Sequence, residues 1–504
     1  MNASNLPQRP RTAAWCRAFT LAGAMGLTGC APLTPYTLPT LPLAVMPVPD
    51  ATSAVNAADL SSWWTLFSDA RLDALVETLL QENLGLQAAA ARVDQARAAS
   101  REAGAGELPS IALESGVTAQ HQSMDTSIGE IAHHSPYYRR NPVSLNGGVA
   151  ASWEIDLGRG SRHNADAMRS EAEAADDDAL ALRVALICEL ADAYLQLGAA
   201  RTRLDLLDAQ IANVQHVRDV VQLRLDAGAS SRREVSLAQA AVARAGARRA
   251  ALHITLTAQA LRIDRLLGQQ PGAGEGTRLA RLSEAILPPN PVAALTDFAP
   301  RALLRGRPDV IAAERRLAAS HSRVGLAVSE FYPKLSLTGL LGSSGMTGTP
   351  WLGRDGFSPQ AGIGLRWRLF DFGRVQAEVD GANAAERVAV AQYRASVLAA
   401  IEDVQRSVDA RSRLVDQSQD LAAEVTALAQ GRDASLEAYQ AGSITVSEVL
   451  LAEDELLDSR DALTQSRFDE VRALAGVYRS LGGGWHAPPE VGSHIAVAES
   501  THAE

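Results

Sequence analysis

Apolar and polar residues alternate in four short stretches of the chain. Ile111, Leu113, Val117 and Ala119 alternate with Ala112, Glu114, Gly116 and Thr118. Val143, Leu145, Val149, Trp153 and Ile155 alternate with Ser144, Asn146, Ser152 and Glu154. Further on, Leu335, Leu337 and Leu341 stand against Ser336 and Thr338, and Ile363, Leu365, Trp367 and Leu369 against Gly362, Gly364, Arg366 and Arg368. A period of two with one polar face predicts strands, at about 109–120, 143–156, 333–342 and 360–371. Each is about ten residues, the length a tilted strand needs to cross a bilayer. Alternation alone would also suit the edge of a soluble sandwich. The glycine-rich polar faces and the polar loops 120–142 and 342–359 favour the membrane.

Between these runs the period changes to that of a helix. Leu204, Leu207, Ile211, Val214, Val217, Val221 and Leu225 follow three-and-four spacing, as do Leu421, Val425 and Leu428, and later Leu474, Val477 and Leu481. No proline interrupts the chain between Pro142 and Pro271 or between Pro359 and Pro488. Coiled-coil-like helical hairpins are predicted over about 159–268 and 374–482, with Gly228 and Gly442 in the left-handed conformation that ends a helix. At ~1.5 Å per residue the first long arm is on the order of 100 Å.

The whole arrangement occurs twice. "NLGLQAAAARVDQARAASREAGAGELPSIAL" matches "RPDVIAAERRLAASHSRVGLAVSEFYPKLSL", with Pro109 on Pro333, and "DAGASSRREVSLAQ" matches "QAGSITVSEVLLAE", with Gly228 on Gly442. This is duplication of a unit, 63–300 and 301–485, followed by a tail at 486–504. Each unit hands its second strand to its long helix through one phrase, "WEIDLGR" or "WRLFDFGR". Asp156 and Asp371 are expected to cap or turn the backbone there, and Gly158 and Gly373 to relieve it sterically. Trp153 and Trp367 suit either a membrane interface or a strand-end core. Four strands cannot close a barrel, so the expected fold needs further copies of the chain to satisfy its edges.

Composition narrows the partners. The formal net charge of −11 argues against nucleic acid as a partner, which would want a basic stripe. Aromatic residues make up 5%, and Lys334 is the only lysine. The first 29 residues read as a lipoprotein leader, with Arg9, Arg11 and Arg17 ahead of the apolar "AFTLAGAMGLTG" and a lipobox ending at Cys30. Cys30 is therefore the expected lipidation site, carrying N-acyl and S-diacylglycerol chains, and Ala31 behind it suits sorting to the outer membrane. A proline-rich spacer over 30–62 follows. Cys16 leaves with the leader and Cys188 remains alone in "VALICELADAYL", so no disulfide framework or zinc spacing is expected. His121, His133 and His134 read as an exposed polar loop rather than a metal site. No P-loop or nucleophile motif is present, and the chain does not read as an enzyme.

Three segments carry a family resemblance: "RALLRGRPDVIAAERRLAASHSRVGLAVSEFYPKLSLTG", "LRWRLFDFGR" and "YRSLGGGW". With "WWTLFSDARLDALV" and the lipobox, the chain resembles the TolC-like outer membrane factors, in their lipidated NodT/OprM branch. The resemblance implies a mainly α protein with a transmembrane β-barrel. It implies a homotrimer in which four strands per chain make a 12-stranded barrel and the helices make a periplasmic tunnel. It also implies a periplasmic membrane fusion (adaptor) protein and an inner-membrane efflux transporter of the RND type as partners, no cofactor, and passive conduction. In that family an "LDAxR"-like stretch helps hold the tip shut. Here the stretch reads "LLAED", with Leu451 in place of the Asp and Asp454 in place of the Arg. Glu448, Leu451, Glu453 and Asp454 are thus the gate candidates, and the acids would form either a cation-concentrating ring or a solvated helix face. Gly228, Ser231, Gly442 and Val446 are the adaptor-docking candidates. The exit duct of a type I secretion system, or a poreless coiled-coil tether, remain alternatives.

Overall fold

The computed structural model describes residues 36–37, 61–272, 306–346 and 353–485. Cys30, the leader, nearly all of the spacer, most of the connector between the repeats and the tail lie outside the described residues. In chain order the described elements are α1 (Ala70–Glu82), α2 (Leu84–Ala105), β1 (Ser110–Ala119), α3 (Ser127–Ala132), β2 (Val143–Asp156), α4 (Gly160–Asp226), α5 (Arg232–Leu266), α6 (Pro308–Ser329), β3 (Lys334–Met346), β4 (Phe357–Arg366), α7 (Arg374–Gln440) and α8 (Val446–Ser480). Among the described residues no helix is long and apolar enough to cross a membrane.

Two compact units emerge. One takes Pro109–His163 and Arg323–Ala382, and within it the strands form a single antiparallel sheet in the order β1-β2-β3-β4. Its register sorts the side chains by chemistry. The row Leu113, Val149, Leu341 and Pro359 lies on one face with the row Trp153, Leu337 and Ile363. The other face carries Ser110, Ser152 and Thr338 in one row, and Asp156, Lys334 and Arg366 in another. Apolar side chains on the first face are open, Leu113 at 81% and Ile363 at 76%. This inverts a soluble sheet, whose apolar face is covered.

The first two strands match their sequence expectation, and the last two need correction. β3 runs on to Met346, and β4 covers 357–366 rather than 360–371. The reason is the partner. The last rung is Lys334 opposite Arg366, and before Lys334 the chain turns out of α6, Tyr332 N–H donating to Ser329 O. Past Arg366 there is no strand left to pair. Trp367 instead donates its indole N–H to Phe331 O at 2.9 Å, and Arg368 reaches Glu330 and Glu378.

The other unit is helical. Asp69 caps α1, accepting from Arg71 N–H at 3.0 Å and from the Tyr194 hydroxyl at 2.6 Å. Asn83 caps α2 and donates to Leu266 O at 2.6 Å. The main core joins Trp63, Leu72, Val76 and Leu79 to Ile187, Leu190 and Tyr194 of α4, Ile263 of α5, and Phe468, Leu474 and Tyr478 of α8. Trp63 stacks on Tyr478 with ring centroids 5.5 Å apart. Cys188 packs half-buried against this core, and burial pushes its thiol up to about 12, so it stays protonated and inert.

Candidate functional site

The two strand-to-helix turns differ more than their sequences do. Asp156 accepts from Ser161 N–H at the start of α4, and the left-handed residue is Arg159 (φ 59°). Gly158 is needed for another reason: a Cβ there would stand 2.9 Å from Ser329 O. In the second copy Asp371 accepts from Gly373 N–H at 3.0 Å and Val375 N–H at 2.8 Å. These backbone donors hold its carboxyl below the usual range, Val375 foremost. Here Phe372 (φ 58°) and Gly373 (φ 85°) take the left-handed conformation. Both aspartates cap, and the two glycines relieve the turn differently, Gly158 by leaving room for Ser329 and Gly373 by taking the left-handed backbone.

Each hairpin tip is a helix stop followed by a restart. Gly228 (φ 74°) and Gly442 (φ 73°) end α4 and α7, and the next N–H reaches back five residues, Ala229 to Arg224 O and Ser443 to Ala438 O. Ser231 then opens α5 with a capping box: its hydroxyl accepts from Glu234 N–H while Glu234 accepts from Ser231 N–H at 2.9 Å. Hydrogen bonds from Ser230 and Ser231 hold the Glu234 carboxyl low. Thr445 and Glu448 stand at the equivalent places before and in α8, with Glu448 in the first turn. Gly228, Ser231 and Gly442 are exposed at the tips. Val446 is not: it is wholly buried with Val221 and Val235, beside Tyr439 and Leu225. Its side chain is therefore removed from the docking set, because it joins the two hairpins to each other. Arg224 over the Tyr439 ring, 5.0 Å from its centroid, strengthens the same joint.

The gate candidates do not make a free acidic face. Glu453 is buried and paired with Arg432 of α7 at 3.2 Å. Asp454 holds Arg244 of α5 at 3.0 Å and Arg248 at 3.1 Å, and Arg248 also holds Asp458 at 2.7 Å. Arg203 of α4 grips Asp461 with both arms at 2.6 and 2.7 Å. Of the four candidates, Glu448 stands exposed as a first-turn helix acid and Leu451 is open at 60%. Glu453 and Asp454 thus form neither the cation-concentrating ring nor the solvated face left open by the sequence, but part of a ladder in which acids of α8 meet arginines of α4, α5 and α7. Sequence reading missed Arg203, Arg244, Arg248 and Arg432. One signal was present: Arg244 and Asp458 occupy equivalent positions of the repeat, so the two return helices have diverged to opposite charge.

The pairs that Arg244 and Arg248 make with Asp454 and Asp458 are about one-third to two-thirds exposed, so each is worth little. Arg248→Ala is expected to lower stability by about 1 kcal/mol, a loss that shrinks in high salt. Thermal melts in detergent at low and high ionic strength would check it. A drop indifferent to salt would place the contribution in the packing of the arginine stem instead.

A sheet with an open apolar face and a polar second face, set in a chain of duplicated long helical hairpins, defines a membrane channel component. The chain belongs to the family described as Outer membrane efflux protein, which it matches over residues 75–269 and 299–483. It is an outer membrane efflux channel. Over 464 residues it is 29% identical to the pyoverdine export outer membrane protein OpmQ of Pseudomonas putida, covering 92% of this chain and 96% of that one. It is 26% identical to Nodulation protein T of Rhizobium leguminosarum bv. trifolii, covering 92% and 97% respectively. The solved outer-membrane channel OprN superimposes with a TM-score of 0.75 at 30% identity, covering 87% of this chain and 98% of that structure.

Proposed function

We propose that the chain is the exit duct of a tripartite efflux pump, working as a homotrimer with a periplasmic adaptor and an inner-membrane transporter of the RND type. The observation that carries this reading is the sheet's pair of unfinished edges. β1 and β4 each pair on one side only within the chain, and an open edge is not tolerated in hydrocarbon. Three copies would join β1 to β4 around a ring of twelve strands, turning the apolar face to lipid and the polar face to water. Conduction through such a duct is passive, the transporter supplies the energy, and no catalytic step falls to this chain. Mass by light scattering joined to negative-stain microscopy tests the reading: a trimer with a long hollow stalk is expected, and a monomer without a barrel would sink it.

The lipid is the second part of the proposal. N-acyl and S-diacylglycerol chains on Cys30 would anchor the duct beside its barrel, motivated by the lipobox Leu27-Thr28-Gly29-Cys30. Cys30→Ala is expected to abolish palmitate incorporation while the trimer still inserts, since the strands carry most of the apolar contact with the membrane. Labelling that persisted in the variant would refute the assignment.

A further inference from the structure

The polar face of the sheet is nearly self-sufficient. Ser110 and Ser152 share a hydrogen bond at 2.8 Å, while Ser144 donates to Thr118 O, Ser336 to Gly364 O and Thr338 to Gly362 O. Its charges gather at one end, where Asp156, Lys334 and Arg366 form one row and Glu154 the next. There Glu154 and Asp156 stand with Lys334 and Arg366, and Lys334, 4.0 Å from Glu154, is held more closely by Glu330 at 2.6 Å, which Arg368 meets in turn at 3.0 Å, so acids and bases balance three to three. The apolar face carries no charge. One ionised side chain is left over: Glu114, in the middle of β1.

Glu114 is set among residues that offer it nothing. Across the sheet its row is Gly148, Gly342 and Ser358. A Cβ on Gly148 would stand 2.5 Å from the Cα of Gly342, so this floor admits glycine alone without a shift of backbone. Asn146 is turned over Gly116, two residues along β1. Glu114 is exposed, and among the described residues it takes no hydrogen bond or ion pair.

We propose that Glu114 is the fixed charge that sets the ion preference of the barrel lumen, favouring cationic over anionic solutes. This rests on the trimeric-barrel reading, which places three copies of the carboxylate around one water-filled bore. On the sheet's polar face that balance leaves each chain a net single negative charge, held at mid-strand above a glycine floor of its own chain that neither covers nor neutralises it. Such a ring raises local cation concentration and repels anions over about a Debye length, ~10 Å at 0.1 M salt and ~30 Å at 0.01 M.

The test uses the full-length protein in planar bilayers, with the reversal potential read in a KCl gradient at low ionic strength. Wild type is expected to be cation-selective, and Glu114→Gln to lower the cation-to-anion permeability ratio by roughly two- to fivefold. Glu114→Lys should shift the preference toward chloride, and Glu114→Ser serves if Glu114→Gln assembles poorly. A ratio unchanged in variants that insert normally would overturn the proposal and place selectivity elsewhere along the duct. Wild-type protein that forms no channels would instead overturn the barrel reading, and this inference with it.

Discussion

Arg307→Ala is expected to destabilise the helical unit by about 3–5 kcal/mol, the cost of breaking a buried ion pair by removing one partner. Arg307 is 8% exposed at the start of α6. Its guanidinium donates to both oxygens of Asp309 at 3.0 and 2.7 Å, to Ser480 O at 2.9 Å and to Asp403 of α7 at 3.5 Å. One side chain thus joins the first turn of α6, the body of α7 and the last turn of α8. Burial works against the cation there, but the two aspartates outweigh it and hold its pKa above the ordinary value. Without the arginine, Ser480 O loses a donor and Asp403 loses part of its compensation, while Gly482 loses the stem it packs on. Arg307→Lys should recover only part of the loss, since an ammonium cannot fork across Asp309 while still reaching Ser480. Thermal or denaturant melts followed by circular dichroism would check both variants. A loss below about 1 kcal/mol for the alanine variant would mean that the network merely decorates a joint made by packing.

Arg307 also shows where sequence reading stops. Local rules did well wherever the structure is decided locally. Gly228 and Gly442 were legible as left-handed helix stops and the alternation from Ile111 to Ala119 as a strand, because each depends on neighbours within a few residues. The end of β4 was not legible. The alternation of Ile363, Leu365, Trp367 and Leu369 continues past the last rung, and only the turn out of α6 just before Lys334 decides that Arg366 is the end. Gly158 and Gly373 look interchangeable, yet one answers a close approach of Ser329 and the other a left-handed backbone. The gate misled for a similar reason. Glu453 and Asp454 read as a free acidic tip until Arg432 and Arg244 are brought to them, the second from more than two hundred residues away. Val446, apolar at a tip, read as a contact for a partner and is instead the plug between hairpins.

The sheet's two faces can be told apart at neighbouring residues of one strand. Leu341→Arg is expected to cost ~2–4 kcal/mol per chain, the penalty for arginine on the lipid face near the bilayer midplane. Leu341 pairs with Val149, near the middle of β2, and is 64% exposed on the apolar face. Leu340, one residue earlier, pairs with Ala150 on the polar face. Successive side chains of a strand point to opposite faces, so Leu340→Arg sends its guanidinium toward water and should be tolerated. Depth matters as well. Leu365 is on the lipid face but only one rung from the Lys334–Arg366 end, so Leu365→Arg is expected to cost only ~0–1 kcal/mol. Urea titration of the assembled protein in lipid, read by heat-modifiable mobility, would rank the three variants. The expected order of damage is Leu341→Arg well ahead of Leu365→Arg, with Leu340→Arg least affected. If Leu340→Arg fails while Leu341→Arg assembles, the faces are reversed, and the apolar rows from Leu113 to Pro359 line the bore instead of the lipid.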